Sequence, residues 1–209
     1  MTDDRTPGAT RVSPRRAALT VATGLLPAGA LVGALWAWLA PPVKGVVVLT
    51  HSGERLHDYL GSESDHFFVA AFLMLGLLNV VAAVAAVLAW QWRAHRGPEM
   101  VVALCTGMVI AAAAAIGVGV LLAHLRYGTV NLGTVPLSHD HPLHYFTQAA
   151  PVFFGPSPLQ AACTLLLPAA TAALVYAVPA AATSRDDLGG YPPVEAVFPH
   201  AESATATPS

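Results

Sequence analysis

The 209 residues are 55% hydrophobic and only 11% charged, with a mean hydropathy of +0.58, whereas soluble domains carry roughly 25% charged residues. That balance excludes an ordinary water-soluble domain. A formal charge of −2, with ten basic residues scattered along the chain, excludes the electropositive surface that nucleic-acid binding needs.

Residues 1–16 are polar, with Pro7, Gly8, Pro14 and four arginines, and are expected to form a disordered tail. Residues 17–40 then run without a charge, ending near Trp36 and Trp38, where indoles favour a membrane interface. The pair Arg15-Arg16 has the look of a twin-arginine signal. The apolar run, however, exceeds the roughly 7 to 15 residues of a signal peptide's apolar region, and Pro41-Pro42 replaces a small-residue cleavage site. The first run is therefore expected to stay as a membrane span.

An outer loop, 41–66, follows. Val43 to Thr50 is β-branched, Ser52-Gly53 can turn the chain, and Arg55 to Tyr59 can return, which predicts a short β-hairpin. Residues 67–92 and 100–123 are two further charge-free runs, each able to cross about 30 Å of hydrocarbon at about 1.5 Å per residue. The basic turn Arg93 to Pro98 joins them. The third run is rich in small residues (Ala111 to Ala115, Gly107, Gly117, Gly119), which let a neighbouring backbone approach and predict a central position. Gly29 and Gly33 in the first run have the same spacing and are expected to serve an internal contact rather than a dimer seam.

Residues 124–158 form a second outer loop, too rich in Pro and Gly for a long helix. Residues 159–181 are the fourth span, containing Pro168 and Pro179, and 182–209 form a second disordered tail. The fold class expected is thus an all-α, four-transmembrane-helix bundle with a small extracytoplasmic cap. Placing both tails and the central turn inside puts Arg5, Arg11, Arg15, Arg16, Arg93, Arg96 and Arg185 in the cytoplasm, against Lys44, Arg55 and Arg126 outside. Basic residues favour the inner face, so both termini are expected to be cytoplasmic in the plasma membrane.

Three strings carry a family resemblance: Gly61-Ser62-Glu63-Ser64-Asp65-His66-Phe67-Phe68, the exit Trp90-x-Trp92-Arg93, and the turn Arg96-Gly97-Pro98. Together with the layout from Ala17 to Ala181, the chain resembles an actinobacterial family of four-span membrane proteins, the domain of unknown function 2567 type. The resemblance implies a four-helix membrane unit and supplies no catalytic residues. The histidine cluster described next is not part of the resemblance.

Seven of the nine histidines lie in or beside the outer loops. The tightest group is His139-Asp140-His141-Pro142-Leu143-His144. In an extended chain His139 and His141 point the same way, roughly 6.5 Å apart, and with His144 and either Asp65 or His66 they could complete a zinc or copper site. The spacing fits no standard zinc motif, and solvated loop histidines are the plainer expectation. His66 and His124, at the outer ends of two spans, sit too near those ends for a usual haem pair. No span holds an acidic or basic residue in its interior, which argues against ion-coupled transport. Asn79 is the one strongly polar candidate near mid-bilayer, as a substrate contact or as an interhelical hydrogen bond. Cys105 and Cys163 fall at different depths, so no disulfide is expected.

No nucleophile elbow, phosphate-binding loop or zinc-protease motif is present. The leading expectation is a non-enzymatic accessory or scaffold protein of the cell envelope, without a cofactor, whose partners are the lipid bilayer and an envelope or membrane protein. Two alternatives remain: an extracytoplasmic metal-binding or sensing protein using His139, His141 and His144, and uncoupled small-molecule or lipid transport around Asn79.

Overall fold

A computed structural model describes residues 14–50, 54–128, 143–184 and 188. Its elements are α1 (Pro14–Leu39), β1 (Val43–Leu49), β2 (Arg55–Tyr59), α2 (Asp65–Gln91), a 3-10 turn (Arg93–His95), α3 (Pro98–Tyr127), β3 (Leu143–Gln148) and α4 (Pro158–Ala182). All four α-helices are long and apolar enough to cross a membrane. The sequence-predicted tails lie largely outside the described residues.

The helix limits follow local chemistry. Proline occupies the first turn of α3 and α4, where its missing N–H costs nothing. Ser157 caps α4 in a reciprocal box: its hydroxyl accepts from the Gln160 N–H at 3.3 Å, while the Gln160 side chain accepts from the Ser157 N–H at 3.2 Å. Helix α3 outlasts its charge-free run by a turn, taking in His124 and Arg126 before Gly128 ends it. A basic last turn suits the negative end of the helix dipole.

Helices adjacent in sequence are not the closest in space. Helix α1 packs most extensively on α3, and α4 packs on both α2 and α3, whereas α2 and α3, joined by the short turn, touch little. The α1–α3 seam is made by small residues. A Cβ at Gly29 would collide with the backbone of Ala111, and one at Gly33 with the backbone of Ala115. Farther along, Ala22 meets Gly107 and Trp36 meets Gly119. Numbers rise together on both helices, so the two run parallel. The Gly29/Gly33 pattern is therefore an internal contact, as its sequence suggested, and α3 carries the largest buried share of the four helices, in keeping with a central place.

Trp36 departs from expectation. It is 1% exposed and donates its indole N–H to the Ala70 carbonyl of α2 at 2.7 Å, while Trp38 is 72% exposed. A ring facing α2 and α3 finds both a packing surface and an acceptor there, since a helical carbonyl keeps a second lone pair. Only Trp38 is placed as an interfacial indole would be.

At the turn end, Arg96 lies 4.2 Å over the Trp90 ring and donates to the carbonyls of Trp90 (2.9 Å) and Leu188 (2.8 Å). Tyr176 of α4 meets Trp90 edge to face at 5.2 Å and accepts from the Gly97 N–H at 3.3 Å. The basic turn is thereby tied to the end of α2 by arginine stacking and to α4 by the Gly97–Tyr176 hydrogen bond.

At the other end sits a three-stranded antiparallel sheet in the order β2-β1-β3. The β1–β2 hairpin is the one the sequence predicted. β3 is new: the second outer loop returns Leu143–Gln148 to pair with β1, Val43 opposite Gln148 and Val48 opposite Leu143. The two outer loops are thus joined by backbone hydrogen bonds, and the expected all-α class gains a small sheet.

Candidate interaction face and outer pocket

Directly opposed residues in a sheet share a face. One face therefore holds Val43, Gly45 and Val47 of β1 with Tyr59 and His57 of β2 and Gln148, Phe146 and His144 of β3. This face turns toward the helices. Val43 and Val47 are buried, Phe146 lies across Gly45 where no side chain competes, and Tyr59 meets Phe67 of α2 edge to face at 5.0 Å.

The other face is turned outward. Val48 stands between Leu56 and Leu143, and Val46 between Asp58 and Tyr145. Leu56, Leu143 and Tyr145 are 58%, 53% and 66% exposed. This face is thus a row of partly exposed apolar side chains rimmed by Lys44, Asp58 and Thr147.

A polar clasp fixes the sheet to the helices. Glu63, just ahead of α2, accepts from the backbone N–H of Lys44 at 3.0 Å. The same carboxylate oxygen lies 3.1 Å from His66 Nδ1, which is also 2.9 Å from the Pro42 carbonyl. Both neighbours of that nitrogen are acceptors, so Nδ1 carries the proton and donates. The chain entering β1 is thus bound at Pro42 by His66 of the first turn of α2 and at Lys44 by Glu63 just before it.

Between the sheet and the helix ends lies a pocket of about 230 Å³. Trp36, Phe67, Val120 and Ala123 from three helices form its inner wall, and the segment from Ala149 to Val152 its outer wall. Besides Trp36, whose N–H is given to Ala70, its hydrogen-bonding side chains are His124 and Gln148. Sequence reasoning missed this pocket, because its walls come from four separate stretches. Glu63 stood in the sequence only within the string Gly61 to Phe68, and its contact with Lys44 had no signal beyond a carboxylate just before a helix.

Of the sequence-predicted metal ligands, His139 and His141 lie outside the described residues. His144 is exposed on β3 opposite Val47. His66 is held at Pro42, five residues back along β1, roughly 16 Å at 3.3 Å per residue. The fold does not bring these two together. Asp65 is exposed in the first turn of α2, where a carboxylate favours the positive helix end. Among the described residues no three His, Cys, Asp or Glu side chains converge on a common point. Asn79 accepts from the Thr171 hydroxyl of α4 at 2.6 Å and donates to the Leu75 carbonyl at 2.7 Å, so it links α2 to α4. Such bonds contribute about 0.6 kcal/mol on average between membrane helices. Cys105 and Cys163 are both free thiols.

Residues 25–190 match the model of the family described as "Protein of unknown function (DUF2567)". The chain belongs to this family. It is 60% identical over 173 residues to the uncharacterized protein Rv1591 of Mycobacterium tuberculosis, covering 82% of this chain and 90% of that one. It is 59% identical over 175 residues to the uncharacterized protein ML1222 of Mycobacterium leprae, covering 84% and 88%. No solved structure matches this DUF2567 chain. The match spans every helix and strand from the middle of α1 onward, so it includes the sheet, the clasp and the pocket.

Proposed function

We propose that this DUF2567 protein is a four-span protein of the plasma membrane that presents its sheet outside the cell as a docking platform for an envelope or membrane protein, and that it is not an enzyme. Membrane insertion is supported by large apolar side chains exposed on every helix, among them Leu31 at 71%, Leu88 at 59%, Leu125 at 74% and Leu174 at 67%. In water these would be a heavy burden; in lipid they face their own solvent. The basic residues favour cytoplasmic tails and an external sheet.

The observation that carries the docking role is the outward row Leu56-Val48-Leu143 with Val46 and Tyr145 beside it. The clasp at Glu63 and His66 holds that row at a fixed angle to the helices, so a partner meets a preformed surface.

Purification of the tagged protein at native expression level in mild detergent, with mass spectrometry of what accompanies it, tests this. A partner recurring in comparable amount is expected, and Leu56→Glu is expected to remove it while the four-helix part stays folded. A solitary protein, or a partner indifferent to Leu56→Glu, would overturn the platform role.

A further inference from the structure

We infer that the pocket between the sheet and the helix ends is a binding site for the carbonyl end of an acyl lipid. The inference rests on the membrane placement proposed above and is independent of the docking role. Trp36, Phe67, Val120 and Val152 supply an apolar wall, and His124 and Gln148 supply the hydrogen-bonding groups. None of the described lining residues is Asp, Glu, Lys or Arg, so the site offers a phosphate or an ammonium group no permanently charged partner. Gln148 has an amide N–H to give, and an imidazole has one in either neutral tautomer, so what they match is an acceptor: an ester or carboxyl carbonyl.

Size and position point the same way. At about 230 Å³ the pocket is smaller than the roughly 300 to 1,000 Å³ that encloses a whole drug-sized ligand. It suits a short stretch of chain next to its carbonyl, with the remainder outside. The pocket lies where α1, α2 and α3 end beneath the sheet, which in the proposed orientation is the depth at which lipid tails join their headgroups. Trp36 is held rigid by its bond to Ala70, so the apolar wall is preformed.

The full-length protein in phosphatidylcholine–phosphatidylglycerol vesicles is the system for the test. One arm carries a fatty acid with a diazirine near the carboxyl group; a second carries a phospholipid bearing the same acyl chain. After illumination, mass spectrometry locates the labelled residues. Saturable labelling at 120–124 and 148–152 is expected. The double variant His124→Ala/Gln148→Ala, which leaves the apolar wall intact, is expected to lower it about tenfold through loss of two hydrogen bonds. Ala150→Leu, which fills the pocket, is expected to abolish it. Competition by unlabelled fatty acid or by unlabelled phospholipid identifies which source of acyl chain is held. Labelling of the exposed side of α2 near its outer end, at Phe68 and Phe72, serves as the control. If α2 is labelled and the pocket is not, or if pocket labelling is insensitive to all three substitutions, the lipid site is refuted while membrane insertion stands. If no helix is labelled, the membrane placement itself fails.

Discussion

Gly29→Val is expected to cost about 3 kcal/mol, the upper part of the range for overpacking, and to leave little folded protein. The cause is the α1–α3 seam, where a Cβ at Gly29 meets the Ala111 backbone rather than a side chain that could rotate away. Relief would require the two helices to separate, losing the neighbouring Gly33–Ala115 contact as well. Gly33→Val is expected to behave alike. Gly24, Gly76 and Gly117 are the comparison set, because a Cβ there meets nothing within 4 Å. Alanine at those positions is expected to be neutral or to stabilise by roughly 0.5 to 1 kcal/mol, the gain for removing glycine from a helix interior. Unfolding of the detergent-solubilised variants, followed by size-exclusion profile against temperature, separates the two groups. Equal tolerance of valine at Gly29 and of alanine at Gly117 would contradict the seam.

Trp36→Ala is expected to have an effect of the same size, about 3 kcal/mol, at the low end of the range for deleting a buried aromatic. The low end applies because the membrane replaces water as the reference solvent for part of this side chain, which reduces the transfer contribution and leaves the cavity. The indole touches the position of Gly119 and bonds to Ala70, so its loss opens the contact among α1, α2 and α3. Trp36→Phe, which keeps a ring but loses the indole N–H and part of its volume, is expected to cost less, about 1 to 2 kcal/mol. Trp38→Ala, at an exposed position, is expected to change thermal stability little. The same unfolding assay ranks the three, and a Trp38→Ala loss equal to that of Trp36→Ala would show the two indoles to be equivalent after all.

The four long apolar helices were legible in the sequence, because absence of charge over more than twenty residues is a signal that needs no partner. So was the β1–β2 hairpin, whose strands lie within one loop. The glycine pair on α1 was legible as a contact because small residues are the only sequence mark of close backbone approach. The arrangement of the helices was not legible. Their surfaces are apolar all round, so no amphipathic stripe declares which side faces a neighbour, and nothing in the spacing of the runs marks α1 and α3 as the most closely packed pair. Trp36 and Trp38 sit two residues apart at the end of one span. Only the position of Ala70, on another helix, makes one of them a core residue. β3 escaped because its partner is almost a hundred residues away in sequence and its flanks are rich in His and Pro. Asn79 had two sequence readings, and the partner that the helix–helix reading requires, Thr171, lies on α4 and could not be named from the sequence.

The account rests on a membrane lying between the sheet and the basic turn. Single cysteines placed in a Cys105→Ala/Cys163→Ala background, Tyr145→Cys on the outer face of the sheet and Arg93→Cys at the turn, probe this directly with a membrane-impermeant maleimide. Both native side chains are exposed, so access is limited only by the bilayer. Labelling of Tyr145→Cys in intact cells, with Arg93→Cys reacting only after permeabilisation, is the predicted result. The reverse pattern, or equal labelling of both in intact cells, contradicts it.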